Sequence, residues 1–202
     1  MGCQPTLNTK RLILRPFLLT DARELHRLVN APEVAATTLH IPHPYPEGLA
    51  EVWIKLHGEM FESWEGVVFA VVRRRDSSLI GCVGLECDPE NQNAELGYWI
   101  GVPYWNRGYA TEAAQMVVSF GFAYFGLHRI KSSYFGSNPA SGRVMEKIGM
   151  RYEGRRREQV FKEGRGFEDV VEYGVLSEDF TGQILGKKCQ ADRSLSTTSH
   201  PL

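Results

Sequence analysis

Trp105-Asn106-Arg107-Gly108-Tyr109-Ala110-Thr111-Glu112-Ala113 is the stretch on which the reading of this chain turns. A strand-like run ends before it, a single glycine stands inside it, and a helical pattern begins at its far end. The first amides of a helix lack partners within the helix, and the aligned peptide dipoles leave that end positive. Such an end holds an anion through backbone alone. Gly108 has no side chain, so a ligand can come close to the main chain. The ligand implied is a phosphate or pyrophosphate. A plain βα turn without a ligand is the competing reading of one glycine before a helix. Two other phosphate loops are excluded. No Lys-Ser or Lys-Thr follows Gly108, as GxxxxGK[ST] requires, and no GxGxxG follows a first strand.

Working outward from the loop, Ala94–Ile100 reads as the strand that leads into it, and Gly97 within that strand suggests a bulge or a close backbone approach. Val67–Val72 and Leu79–Glu86 form a hairpin about the turn Asp76-Ser77-Ser78. Upstream, Arg11–Arg15 alternates as a first strand and Pro16 ends it. Thr20 or Asp21 then caps a helix to about Val29, with Asp21 and Glu24 at capping-box spacing, and Asn30-Ala31-Pro32 stops it. After a Pro-rich loop, Leu49, Val52, Trp53, Leu56 and Met60 recur at helical spacing as one apolar face. Downstream, a helix over Ala110–Phe125 closes at Gly126. A strand follows at Arg129–Phe135, then a helix capped by Asn138 with Pro139 in its first position. Two strands near Arg151–Arg157 and Val170–Leu176 flank the turn Glu163-Gly164-Arg165-Gly166. The order β-α-α-β-β-β-α-β-α-β-β describes an α/β domain. Residues 1–8 read as an N-terminal extension, 9–180 as the folded domain and 181–202 as a flexible tail poor in apolar positions.

The 202 residues, 43% of them hydrophobic, suffice for one core, and the net charge of −1 gives no reason to expect nucleic acid or a membrane face. Arg73-Arg74-Arg75 and Arg155-Arg156-Arg157 are either solvated strand ends or a positive rim for an anionic ligand. Four cysteines at 3, 82, 87 and 189 form no CxxC pair, and His40 with His43 lacks a third ligand, so no metal is expected. Unpaired cysteines fit a reducing, cytoplasmic setting. No apolar run reaches membrane-span length. Met1-Gly2-Cys3-Gln4-Pro5-Thr6 satisfies the loose myristoylation pattern, with Cys3 as a palmitoylation candidate, so membrane contact is expected only if that end is lipidated.

The loop resembles the pyrophosphate motif [RQ]xxGx[GA] of the GNAT acetyltransferase superfamily over positions 105–110, with Trp105 where Arg or Gln is usual. Trp followed by xxGYATEA is similar to the RimJ/RimL-like branch. So are Arg11-Leu12-Ile13-Leu14-Arg15-Pro16, Ala94-Glu95-Leu96-Gly97-Tyr98-Trp99-Ile100, Asn138-Pro139-Ala140-Ser141 and Glu146-Lys147-Ile148-Gly149-Met150. The resemblance spans about residues 8–178. It implies a single GNAT-type domain: a mixed, mostly antiparallel sheet of about six to seven strands, four helices, and splayed central strands that receive the pantetheine arm of acetyl-CoA. It further implies cofactor contacts from Ile100, Gly101 and Val102 backbone, from Asn106, Arg107, Gly108, Tyr109, Ala110 and Thr111, and from Asn138 and Ser141.

Acetyl transfer asks for a base to free the amine, an oxyanion site, and a group that serves the departing thiolate. The resemblance makes Glu95 the candidate base, and a useful one would be shifted upward by burial. A surface carboxylate is the competing reading. The tyrosine usual on the helix after Asn138 is Met145 here, which cannot donate. Ser141, four residues earlier on the same helical face, becomes the candidate for the sulfur, against a hydroxyl bonded to local backbone. Glu112 is assigned to structure, because a carboxylate beside the phosphates would repel them. Tyr98, Trp99 and Trp105 read as core or cleft walls. The expected activity is direct acetylation of a primary amine, either a protein N-terminus or a small molecule, by a monomer or homodimer. The alternative is a non-catalytic acyl-CoA-binding module of the same fold. Acceptor choice is expected from 33–64 and 158–168.

Overall fold

Leu12 and Leu14 point to one side of a short strand, Ile13 and Arg15 to the other, and only the leucines are fully buried. That alternation runs on through a mixed sheet of eight strands. In this computed structural model residues 3–182 are described. The elements are β1 (Leu7–Asn8), β2 (Leu12–Arg15), α1 (Ala22–Val29), α2 (Pro32–Thr37), α3 (Leu49–Glu62), β3 (Gly66–Arg73), β4 (Leu79–Asp88) and β5 (Asn93–Ile100). They continue with α4 (Tyr109–Phe120), β6 (Arg129–Phe135), α5 (Pro139–Lys147), β7 (Arg151–Lys162) and β8 (Gly166–Leu176). The strand order is β1-β2-β3-β4-β5-β6-β8-β7. Every neighbouring pair is antiparallel except β5 with β6.

The class is the expected one, with eight strands and five α-helices in place of six to seven and four. The additional strand is β1, whose Leu7 and Asn8 pair with Leu14 and Ile13. The additional helix is α2. The first helix ends at Val29 ahead of Asn30-Ala31-Pro32 as expected, and Pro32 then starts a second, because proline's fixed φ and missing amide suit a first helical position. Most of the predicted tail and the Met1-Gly2 end lie outside the described residues.

Two apolar layers sandwich the sheet. Leu12, Leu14, Phe69, Val83, Leu85 and Leu96 meet α4 and α5 on one face. Ala70, Val72, Leu79 and Cys82 meet α1 and α3 on the other. The inward side of α3 differs from the expectation. Ala50, Ile54, His57 and Phe61 are buried, while Val52 and Leu56 are exposed. Leu49 and Trp53 of the expected face do pack against that layer, but its centre is shifted onto a side that carries a histidine. The Asp21–Glu24 capping box is also not formed. The Asp21 carboxylate accepts hydrogen bonds from Arg15 and from the Leu18 amide, and Glu24 pairs with Arg27.

Among the described residues no helix is long and apolar enough to cross a membrane. The arginine runs are largely paired. Arg73 is buried against Asp76 and over the Tyr104 ring, Arg155 meets Asp169 and Arg156 meets Glu172.

Candidate active site

β5 and β6 run side by side for only three residue pairs, Asn93–Glu95 against Arg129–Lys131. Beyond Glu95 the two strands part. Over the same stretch β5 keeps an unbroken register with β4, from Asp88 opposite Asn93 to Gly81 opposite Ile100. The expected bulge at Gly97 is therefore absent. The V opens through the lost pairing with β6, and the space beside the Gly97 Cα is open.

At the mouth of the V the chain turns into α4. Gly108 caps that helix with φ +75°, in the left-handed region that glycine occupies without penalty. Asn106 also has a positive φ. The amides of Tyr109, Ala110 and Thr111 form the open first turn of α4. Glu112 turns away from that end. Its carboxylate accepts from the Thr9 hydroxyl and from the Arg11 amide and guanidinium. Arg11 also donates to the Arg107 carbonyl (2.8 Å) and lies over the Tyr109 ring. The loop is thus tied from behind.

Much of the Ile100–Val102 backbone is occupied within the chain. The Ile100 carbonyl accepts the Trp105 indole N–H (2.5 Å), the Gly101 amide donates to Ile80, and the Gly101 and Val102 carbonyls accept from Tyr104 and Trp105. The Ile100 and Val102 amides remain. Because Gly101 N–H points at β4, strand alternation turns the main-chain groups of Ile100, Tyr98 and Leu96 toward the V. The Leu96 carbonyl is met there by the Ser132 hydroxyl (2.7 Å).

Glu95 lies on the α1/α3 side of the sheet with its side chain 46% exposed. It accepts from the Ser133 hydroxyl (3.2 Å) and sits 3.4 Å from the Lys131 ammonium. The burial that the sequence reading asked of it is missing. Ser141 stands in the first turn of α5 on the opposite side. The side chain of Asn138, at the cap position of α5, makes no capping hydrogen bond. Met145 is fully buried, so the position usual for the tyrosine faces the core. The Tyr98 hydroxyl, reaching across from β5, lies 2.7 Å from the Ser141 hydroxyl oxygen and 3.0 Å from the Ser141 carbonyl. Burial pushes the Tyr98 phenol up to about 12. From β6, the Tyr134 ring packs so closely on Gly142 that a Cβ there would lie 2.7 Å from it.

The two regions from which acceptor choice was expected, 33–64 and 158–168, touch each other. From the β7–β8 hairpin, Lys162 donates to the Ala35 (2.5 Å) and Thr38 carbonyls, and Arg165 to the Ala36 carbonyl (3.0 Å). These cations satisfy the open carbonyl end of α2. Phe161 and Phe167 stack edge-on at the hairpin and are 65% exposed each.

The acetyltransferase (GNAT) domain family matches residues 11–151. The chain belongs to the GNAT acetyltransferase family. It is an acyltransferase of the acetyl-CoA-dependent kind. The uncharacterized N-acetyltransferase YoaA of Bacillus subtilis (strain 168) is 30% identical over 175 residues, covering 85% of this chain and 97% of that one. The putative ribosomal N-acetyltransferase YdaF of the same organism is 27% identical over 140 residues, covering 69% and 73%. A GNAT-family acetyltransferase of known structure from Bacillus anthracis superposes with a TM-score of 0.75 at 27% identity, covering 86% of this chain and 99% of that one.

Two features of this GNAT protein escaped the sequence reading. Tyr98 was taken for a wall, although its strand parity with Leu96 and Ile100 already put it on the α4/α5 side. Arg11 was read only as the start of the first strand. Nothing local signals that it braces a loop nearly a hundred residues away.

Proposed function

We propose that this protein transfers an acetyl group from acetyl-CoA directly to a primary amine, with the diphosphate at the 106–111 loop and the thioester in the V. The observation that carries the reading is the parting of β5 from β6 beside the open first turn of α4. A strand that has lost its neighbour offers amides and carbonyls to an extended ligand. The pantetheine arm supplies such groups, and the unclaimed Ile100 and Val102 amides with the Tyr98 main chain are its partners. The neighbouring helix end receives the phosphates. Asn138 and Ser141 border the same opening from α5.

In this reading Glu95 takes a proton from the incoming ammonium, directly or through water. Its exposure on the acceptor side suits exchange of that proton with solvent, and Lys131 and Ser133 fix its orientation. Ser141 serves the sulfur from the other side, so base and thiolate donor flank the thioester. The acceptor is a protein N-terminus or a small amine. The putative ribosomal role of YdaF supports the first, and the RimJ/RimL-like pattern of the 105–113 loop points the same way. A chain of this kind acts in the cytoplasm as a monomer or homodimer.

The test is thiol release from acetyl-CoA in the presence of Ala- and Ser-initiated peptides, spermine and other small amines, with acetylated product identified by mass. Amine-dependent release is expected. Tight CoA binding with no release over any amine would leave a binding module of this fold, the reading that Met145 favours.

A further inference from the structure

Two strands that part at Glu95 send tyrosines to one turn of α5. Tyr98 comes from β5 to Ser141, and Tyr134 comes from β6 to Gly142. The Ser141 hydroxyl has a single hydrogen, and Tyr98 has one as well. Two arrangements satisfy the distances. In one, Tyr98 donates to the Ser141 carbonyl and Ser141 spends its hydrogen on Tyr98. In the other, Tyr98 donates to the Ser141 hydroxyl oxygen (2.7 Å), and the Ser141 hydrogen is free to point elsewhere. Only the second leaves a donor for a ligand in the V.

We propose that Tyr98 is a positioning residue for acetyl transfer: by donating to the Ser141 oxygen across the V, it turns the Ser141 O–H toward the departing sulfur. The proposal rests on the reading of Ser141 given above and extends it to a residue on the opposite arm of the cleft. It also accounts for the fully buried Met145. The Ser141 hydroxyl, fixed from β5, stands in for the tyrosine hydroxyl that position 145 of α5 does not supply.

The balance of the step is simple. The amine nitrogen bonds to the acetyl carbon, and the C–S bond breaks with its electron pair on sulfur. Of the three ammonium protons one stays in the amide, one leaves through Glu95 to water, and one ends on the sulfur. Tyr98 transfers no proton. Its burial favours the neutral phenol, so it remains a donor throughout the working pH range. Donation into the Ser141 oxygen also polarises the Ser141 O–H and strengthens its bond to a thiolate.

The experiment is a cycle of Tyr98→Phe, Ser141→Ala and the double variant. It reads turnover with whichever of the peptides, spermine or other small amines supports thiol release, the slow hydrolysis of acetyl-CoA to water, CoA affinity and melting temperature. Hydrolysis needs the same sulfur to leave and no acceptor pocket. The expected result is that Tyr98→Phe lowers turnover by about tenfold or more, because the released Ser141 O–H no longer holds its bond to the charge developing on sulfur. CoA affinity should stay within about twofold, and the double variant should be no slower than Ser141→Ala, as residues acting through one another require. Full turnover in Tyr98→Phe beside a slow Ser141→Ala overturns the proposal and leaves the Ser141 reading intact. Independent, multiplying losses overturn it too. Full turnover in Ser141→Ala removes the reading itself. A polyfluorinated tyrosine at position 98 guards against misfolding, since it keeps the ring and brings phenol ionisation into range. A new alkaline fall in turnover is expected, and a profile without one overturns the proposal.

Discussion

Arg11 and Glu112 meet through an Nε–Oε2 contact of 2.6 Å, while the same guanidinium donates to the Arg107 carbonyl, so one side chain from the edge of the sheet fixes both sides of the Gly108 turn. Removing the carboxylate takes the Glu112 partner from the Arg11 amide and leaves the Thr9 hydroxyl with the Leu12 backbone alone. Glu112→Ala is expected to cost about 1–3 kcal/mol of stability, read as a lower Tm. It should also weaken CoA binding, and Arg11→Lys should do the same, because lysine cannot span both acceptors. CoA affinity equal to wild type in calorimetry for both variants would detach the brace from the ligand.

Gly108 tests the placement of the diphosphate. At φ +75° a β-branched residue is strained, so Gly108→Val should raise the CoA dissociation constant at least about tenfold, or 1.4 kcal/mol. Asparagine tolerates this backbone, and the space beside Gly108 is bordered only by the Arg11 guanidinium at 3.5 Å. Gly108→Asn should therefore keep its Tm and still lose affinity, since what it blocks is the ligand's approach. Unchanged affinity in a folded Asn variant would move the phosphates elsewhere.

Glu95→Gln keeps the shape and the Ser133 hydrogen bond and removes the base. Turnover should fall by roughly 10²–10⁴-fold with CoA affinity unchanged. The readout is the pH–rate profile. An acidic limb of wild-type position and height in the variant would return Glu95 to the role of a partner for Lys131.

His57 carries a prediction about acid stability. It is 7% exposed, stands between the rings of Phe17 and Trp53, and neither ring nitrogen has a hydrogen-bond partner among the described residues. Burial pulls its pKa from 6.5 down to about 4. Between those values the unfolded chain binds the proton and the folded chain does not. The contribution is thus fully present above pH 6.5 and is lost as pH falls toward 4, by roughly 3 kcal/mol in total. His57→Leu should flatten the fall of Tm between pH 7 and 5. An identical fall in the variant would place the acid sensitivity in other groups.

What could be read from the sequence was what neighbouring residues decide. Gly108 before Tyr109-Ala110-Thr111 announces an open helix end, because cap and amides lie within four positions. The strands over 67–72, 129–135 and 170–176 follow from short runs rich in β-branched and aromatic residues bounded by turn residues. The misses need a second segment to be visible. A bulge is a relation between two strands, and Gly97 cannot declare one without Gly84 opposite. The inner stripe of α3 is set by what Phe17 and the sheet leave room for, which includes a histidine. Glu95 is half exposed and meets Lys131 and Ser133, which come from β6 and not from its own segment. Tyr98 and Ser141 are 43 positions apart, and only the fold brings them into contact.

Three residue pairs are a weak seam in an eight-stranded sheet. On one side of it, β1 through β5 form a continuous antiparallel ladder, and on the other, β6, β8 and β7 form a second. Most strand-to-strand hydrogen bonds therefore close within one ladder or the other, and the two are joined chiefly by the apolar core that they share beneath α4 and α5. A ligand laid along the open edge of β5 would add main-chain contacts where the sheet has the fewest, and so would tie the two ladders more closely. Amide exchange without ligand should then fall into two classes, one for each ladder, that open with different free energies. Saturation with CoA should merge them toward a single global value.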